Sequence, residues 1–205
     1  MNILLSLLLL LASNHVNLKT IDFVFGNCGK SEYTWFNPWG GFVAKVRDTH
    51  DSDSQWSRWT ISQDGMTAMR SVYRAVDGWL VTTDEISLAW DSVDGDWEET
   101  ARQTYQGSPK YLPVTINAPG WVTTTGRWSW NDPHGHVGQG DLRYTNTWTW
   151  DGDRLVVDEF YEQRRDGKTD WETSHRLEYF TRQGFIGFND KAAGYVACVR
   201  GAVCK

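Results

Sequence analysis

Several things are scarce in this 205-residue chain. It has five prolines and three cysteines, and its longest apolar run is ILLSLLLLLA, residues 3–12. Ten residues are too few to cross a hydrocarbon core, which takes ~20, and a mean hydropathy of −0.52 excludes a polytopic membrane protein. No window is densely basic; the nearest approach is Arg164-Arg165, within a net charge of −6. Phosphate binding needs a positive footprint, so nucleic acid is not an expected partner. There is no N-x-S/T sequon, no G-x-S-x-G, no phosphate-cradling glycine loop and no zinc spacing around the cysteines. No cofactor is therefore expected.

The run from Ile3 to Ala12 matches the apolar region of a secretory signal peptide, with Ala12 and Ser13 as small residues near a cleavage point. No Lys or Arg precedes Lys19. The expected organisation is a signal peptide over 1–13, an N-terminal extension over 14–34 and one β-barrel domain over 35–205. Export implies no membrane insertion after signal removal. It also permits one disulfide among Cys28, Cys198 and Cys204, either between the chain ends or within the C-terminal pair; the spacing leaves both open.

What the chain has in abundance is aromatic: 13 Trp, 8 Tyr and 8 Phe. From Trp35 to Arg182, β-branched and aromatic runs alternate with Asp-Gly at 64–65, 77–78, 94–95, 151–152 and 166–167. Asp-Gly between alternating runs is a strong hairpin signal, because Gly accepts φ > 0 without a Cβ clash. Strands are expected near 41–47, 55–62, 66–76, 79–90, 97–106, 111–116, 121–130, 142–150, 155–164 and 170–181. In the tail, Tyr195, Val199 and Val203 lie four apart, the spacing of a short helix interrupted by two glycines.

Such a meander closes as an antiparallel up-and-down barrel, with a β-sandwich as the alternative all-β fold. Sequential hairpins, a terminal helix and an export signal together resemble the lipocalin-like (calycin) architecture over roughly 150 residues. The resemblance is one of layout: that family's first strand opens with G-x-W, and here the order is Trp39-Gly40-Gly41-Phe42. It implies a barrel with a ligand cavity at one end.

The period of two predicts the barrel lining. Leu142, Tyr144, Asn146, Trp148 and Trp150 share a face, and a tight Gly152-Asp153 turn sets Trp150 on Leu155, Trp148 on Val157, Asn146 on Glu159 and Tyr144 on Tyr161. The same reasoning puts Trp171, Thr173, His175, Leu177 and Tyr179 inward, with His175 at or diagonal to Glu159. In the first half, Asp84 shares a face with Leu80, Ile86, Leu88 and Trp90, with Ser71 and Gln103 as its expected neighbours.

A buried carboxylate is costly unless paired, so Glu159 needs a partner or a role. Asn146, Glu159 and His175 are the candidate catalytic residues: Glu159 would orient His175 as an acid–base and Asn146 would hold a substrate oxygen. The plainer reading is a structural hydrogen-bond network or a binding cavity without chemistry. Tyr144, Trp148, Tyr161, Trp90 and Asp84 are the candidate ligand-binding residues, with Trp97 and Trp150 also near strand ends. His134 and His136 read as a solvated loop, and Asp48, Asp51 and Asp53 around His50 as a polar turn lacking the glycine and closing Glu of a calcium loop; no metal site is expected. The leading expectation is a secreted barrel binding a small apolar or aromatic ligand. The alternatives are a cofactor-independent isomerase, cyclase or lyase, and a Trp-rich carbohydrate-binding module.

Overall fold

The computed structural model describes residues 18–25, 30–36, 42–152, 154–181, 184–188 and 196–197. The expected signal segment and all three cysteines lie outside them. A short strand β1 (Leu18–Lys19) leads into one helical turn, α1 (Thr20–Val24). The meander follows as β2 (Lys30–Phe36), β3 (Phe42–Ser52), β4 (Gln55–Ser62), β5 (Thr67–Val76), β6 (Trp79–Asp91) and β7 (Asp96–Gln106). Short β8 (Lys110–Pro113) and β9 (Thr115–Ile116) precede the long hairpins of β10 (Gly120–Asn131), β11 (Val137–Asp151), β12 (Arg154–Arg165) and β13 (Glu172–Thr181). β14 (Gly184–Phe188) and β15 (Val196–Ala197) complete the described strands. Among the described residues no helix is long and apolar enough to cross a membrane.

The protein is all-β. One antiparallel sheet runs β14-β13-β12-β11-β10-β7-β6-β5-β4-β3-β2-β15, with β8 added on β6, while β1 pairs with β9. It curls into a half-barrel compatible with the up-and-down barrel read from the sequence, and the curl brings β14 back close to β2. Each of the five Asp-Gly dipeptides sits at a hairpin, and its glycine has positive φ. At Asp77-Gly78 both residues are left-handed (φ 49° and 80°), the two-residue turn whose twist matches its strands. Four strands extend the expected set. β2 carries part of the expected N-terminal extension into the main sheet, and Val196–Ala197, within the expected terminal helix, form strand β15.

The inner face carries two apolar clusters. One gathers Phe23 and Val24 from α1 and Phe25 just after it with Leu80, Tyr111, Leu112, Trp148, Leu155, Val157 and Phe180, and so plugs one end of the curl. The other comprises Tyr105, Trp128, Leu142 and Tyr144, with Trp130 and Tyr161 packed against it. A third cluster (Ala68, Val72, Ile86 and Leu88, with Trp59, Ile61 and Trp97) alternates with the inner residues and covers the opposite face. Strand β6 serves both faces because the ladder slips between Val72 and Tyr73, so Leu80 and Thr82 point inward while Asp84, Ile86 and Leu88 point outward.

Candidate functional site

Between the two inner clusters lies a polar belt, built first by β11 and β12. Their register pairs Tyr144 with Tyr161, Asn146 with Glu159, Trp148 with Val157 and Trp150 with Leu155, as the alternation predicts. Close backbone approaches at two glycines set the frame, Gly140 between β11 and β12 and Gly126 between β10 and β7. A Cβ on Gly140 would lie 2.0 Å from the Arg164 carbonyl oxygen, and one on Gly126 would lie 2.3 Å from that of Gln106. Asn146 is fully buried and Glu159 is 6% exposed.

The next strand departs from expectation. Glu159 pairs with Arg176, and His175 pairs with Phe160, so His175 stands on the outer face. There its Nε2 lies 2.6 Å from Asp158 Oδ1, with both side chains about half exposed. The expected Glu159–His175 couple is therefore not formed. The connection between β12 and β13 is longer than the Asp-Gly dipeptide, and its length sets side-chain parity. Apolar Leu177 and Tyr179 suggested one parity; the ion pair of Arg176 with Glu159 (2.9 Å) goes with the other. Arg176 Nε also lies 3.4 Å from Glu178 Oε1, and Glu178 Oε2 accepts a short hydrogen bond from the Tyr111 hydroxyl. From β6 and β7, Glu85 Oε2 accepts from the Tyr105 hydroxyl at 2.8 Å.

Burial pushes the Glu159 carboxyl up to about 7; Arg176 opposes the rise and Glu178 adds to it, while the Tyr144 hydroxyl favours the ionised form. Burial likewise raises the Tyr144 and Tyr105 hydroxyls well above the ordinary tyrosine value, and Tyr161 to about 12. The belt is imperfectly satisfied. Asn146 Nδ2 donates to the Lys110 carbonyl (3.1 Å), but Asn146 Oδ1 and Glu159 Oε2 have no hydrogen-bond partner among the described residues. Tyr144 packs edge-on against Tyr161, with centroids 5.4 Å apart.

The other expected ligand-binding residues are dispersed. Trp148 lies in the plugged core, edge-on to Trp79, with its Nε1 donating to the Ala118 carbonyl. Asp84 faces outward, bound by Arg102 (3.2 Å) and Thr104 (3.1 Å), because ladder slips on both sides of β6 move it off Ser71 and Gln103. Trp90 packs on Trp97 at the outer cluster. Asp48, expected in a polar turn, lies within β3 as the fully buried partner of Arg58. His134 and His136 border a turn in which Asp132 Oδ1 accepts from both backbone amides. Among the described residues no three His, Cys, Asp or Glu side chains converge as a metal site.

Arg176, Glu178 and Glu85 are the belt residues that alternation alone did not reveal. The available signal was Glu159 itself: a buried carboxylate calls for a cation, and Arg176 is the one Arg or Lys in β13. Neither protein-family models, curated proteins nor solved structures give a match to this chain.

Proposed function

We propose that this half-barrel binds a small molecule on the polar belt, with the apolar or aromatic body of the ligand against Tyr144, Tyr161, Tyr105 and Trp128. The observation that carries this reading is the pair of buried oxygens, Glu159 Oε2 and Asn146 Oδ1, on directly opposed residues with no partner among the described residues. Native proteins rarely leave such atoms unsatisfied, and a bound ligand supplies what the chain does not. Access is from the side of the second inner cluster, where Glu85, Gln103, Trp130 and Tyr161 are only half-buried. The apolar N-terminal run supports export of the protein in soluble form. A carbohydrate-binding surface finds less support, because among the described tryptophans only Trp121 is strongly exposed, at 70%. Native mass spectrometry of the purified chain, with a tryptophan-fluorescence screen, tests the reading. A copurifying small molecule, or a saturable response to apolar or aromatic ligands, is expected; response to oligosaccharides alone would refute it.

One observation favours a second reading, cofactor-independent proton transfer in an isomerase, cyclase or lyase. A carboxyl titrating at about 7 is suited to giving and taking protons at neutral pH. In that reading Glu159, not His175, is the acid–base, with Tyr144 beside it and Asn146 positioning a substrate oxygen. Loss of turnover in Glu159→Gln with ligand affinity retained is its signature.

A further inference from the structure

We infer that the ligand of the polar belt is an organic cation: a primary or secondary ammonium carried on an aromatic or apolar body. The inference rests on the binding reading above and adds the chemical class. Its first ground is charge. The charged side chains that act most strongly on Glu159 are Arg176, Glu178 and Glu85, so carboxylates outnumber guanidinium among its nearest charges. Arg58, a second buried guanidinium that faces inward, is matched by Asp48 through two hydrogen bonds, 2.8 and 2.9 Å long. An ammonium group offsets the excess negative charge that burial makes costly.

The second ground is hydrogen-bond polarity. Within the opposed Asn146–Glu159 pair both unpartnered atoms are acceptors, while Trp128 Nε1, in the aromatic cluster beside them, is a donor without a partner among the described residues. An ammonium has donors only, and more than one of them. Against ionised Glu159, a neutral carbonyl or a carboxylate ligand would stand acceptor to acceptor. Glu178 and Glu85 each receive a tyrosine hydroxyl, from Tyr111 and Tyr105, and Glu159 Oε2 is the buried carboxylate oxygen of the belt with no partner among the described residues. The third ground is the wall. The edge-on Tyr144–Tyr161 pair flanks Asn146 and Glu159, and tyrosine faces attract desolvated cations.

Isothermal titration of the full chain at pH 8 with three probes of one skeleton tests this: phenethylamine, 2-phenylethanol and phenylacetate. Phenethylamine is expected to bind at least about tenfold more tightly than the alcohol, and phenylacetate more weakly than either. Glu159→Gln, nearly isosteric, should weaken the amine by about 10–100-fold, the worth of one charge-assisted hydrogen bond, and leave the alcohol within about threefold. Asn146→Ala, which removes the second acceptor without touching the ion pair, should weaken the amine by about tenfold and serves if the first variant does not fold. Equal affinity for amine and alcohol, or an amine affinity indifferent to both variants, overturns the cation assignment while leaving the small-molecule reading standing. Failure of phenethylamine to bind also overturns it, and native mass spectrometry then decides separately whether the chain carries a small molecule at all.

Discussion

Two buried carboxylate–guanidinium pairs occupy the same half-barrel and are built differently. Asp48 and Arg58 form a closed, two-bond fork; Arg58 also donates to the Val24 carbonyl at 3.2 Å and sits 5.3 Å from the ring centroids of both Phe25 and Phe180. Burial opposes the Arg58 charge, and Asp48 more than offsets that cost. Glu159 and Arg176 meet through one oxygen, Arg176 is shared with Glu178, and the second oxygen of Glu159 is unpartnered among the described residues. The first pair has the geometry of a structural rivet. The second has an open position, which is what a recognition site requires and a rivet does not.

The largest expected effect comes from breaking the closed pair. Arg58→Ala leaves Asp48 buried without its fork and should cost ~3–5 kcal/mol, read as a lower urea midpoint. A loss under ~1 kcal/mol would show that the pair is not structural.

The open pair is expected to do the reverse. Because the Glu159 carboxyl is raised from 4.5 to about 7, the folded state holds that proton more tightly than the unfolded chain. Its contribution is therefore fully favourable below pH 4.5 and is lost as pH rises through about 7. Thermal melts should show Tm falling across that window. Glu159→Gln should flatten the slope and be at least as stable as the wild type at pH 8. A variant as pH-dependent as the parent would place the titration elsewhere.

Gly140→Ala tests the frame that sets the open pair in register. Its Cβ would meet the Arg164 carbonyl, which belongs to the backbone and must move, so a loss of ~1–3 kcal/mol is expected in chemical denaturation. The smallest effect belongs to His175→Gln. The exposed His175–Asp158 contact should be worth less than ~0.5 kcal/mol, and phenethylamine affinity should not change. Weakened binding would bring His175 back to the site.

How far the sequence could be read differs along the chain in the same way. The β11–β12 hairpin was legible because its tight Asp-Gly turn leaves one parity, and the strong Trp/Tyr alternation agrees with it. The β12–β13 pairing was not, because the connecting loop admits either parity and the inward face of β13 is charged at Arg176 and Glu178. Alternation assigns charges outward, and here the buried carboxylate of Glu159 reverses that rule. Asp84 was misplaced for a different reason. A bulge inserts one residue without any composition signal, and every side chain beyond it changes face. The belt thus lies where local pattern and tertiary requirement disagree, which is where functional sites are expected.

The Arg58 fork also constrains how the chain acquires its structure. One guanidinium touches α1 through the Val24 carbonyl and Phe25, β3 through Asp48, and β13 through Phe180. Phe180 follows Phe25 by most of the chain's length, so during synthesis the early helix and its neighbouring strands must wait for the last long hairpin before their cation is sheltered. Until then Arg58 and Asp48 remain open to water and the apolar side of α1 has no lid. The sheet is otherwise a succession of hairpins between neighbouring strands, so the closure that joins the early segments to β13 is the step expected to form last and most slowly.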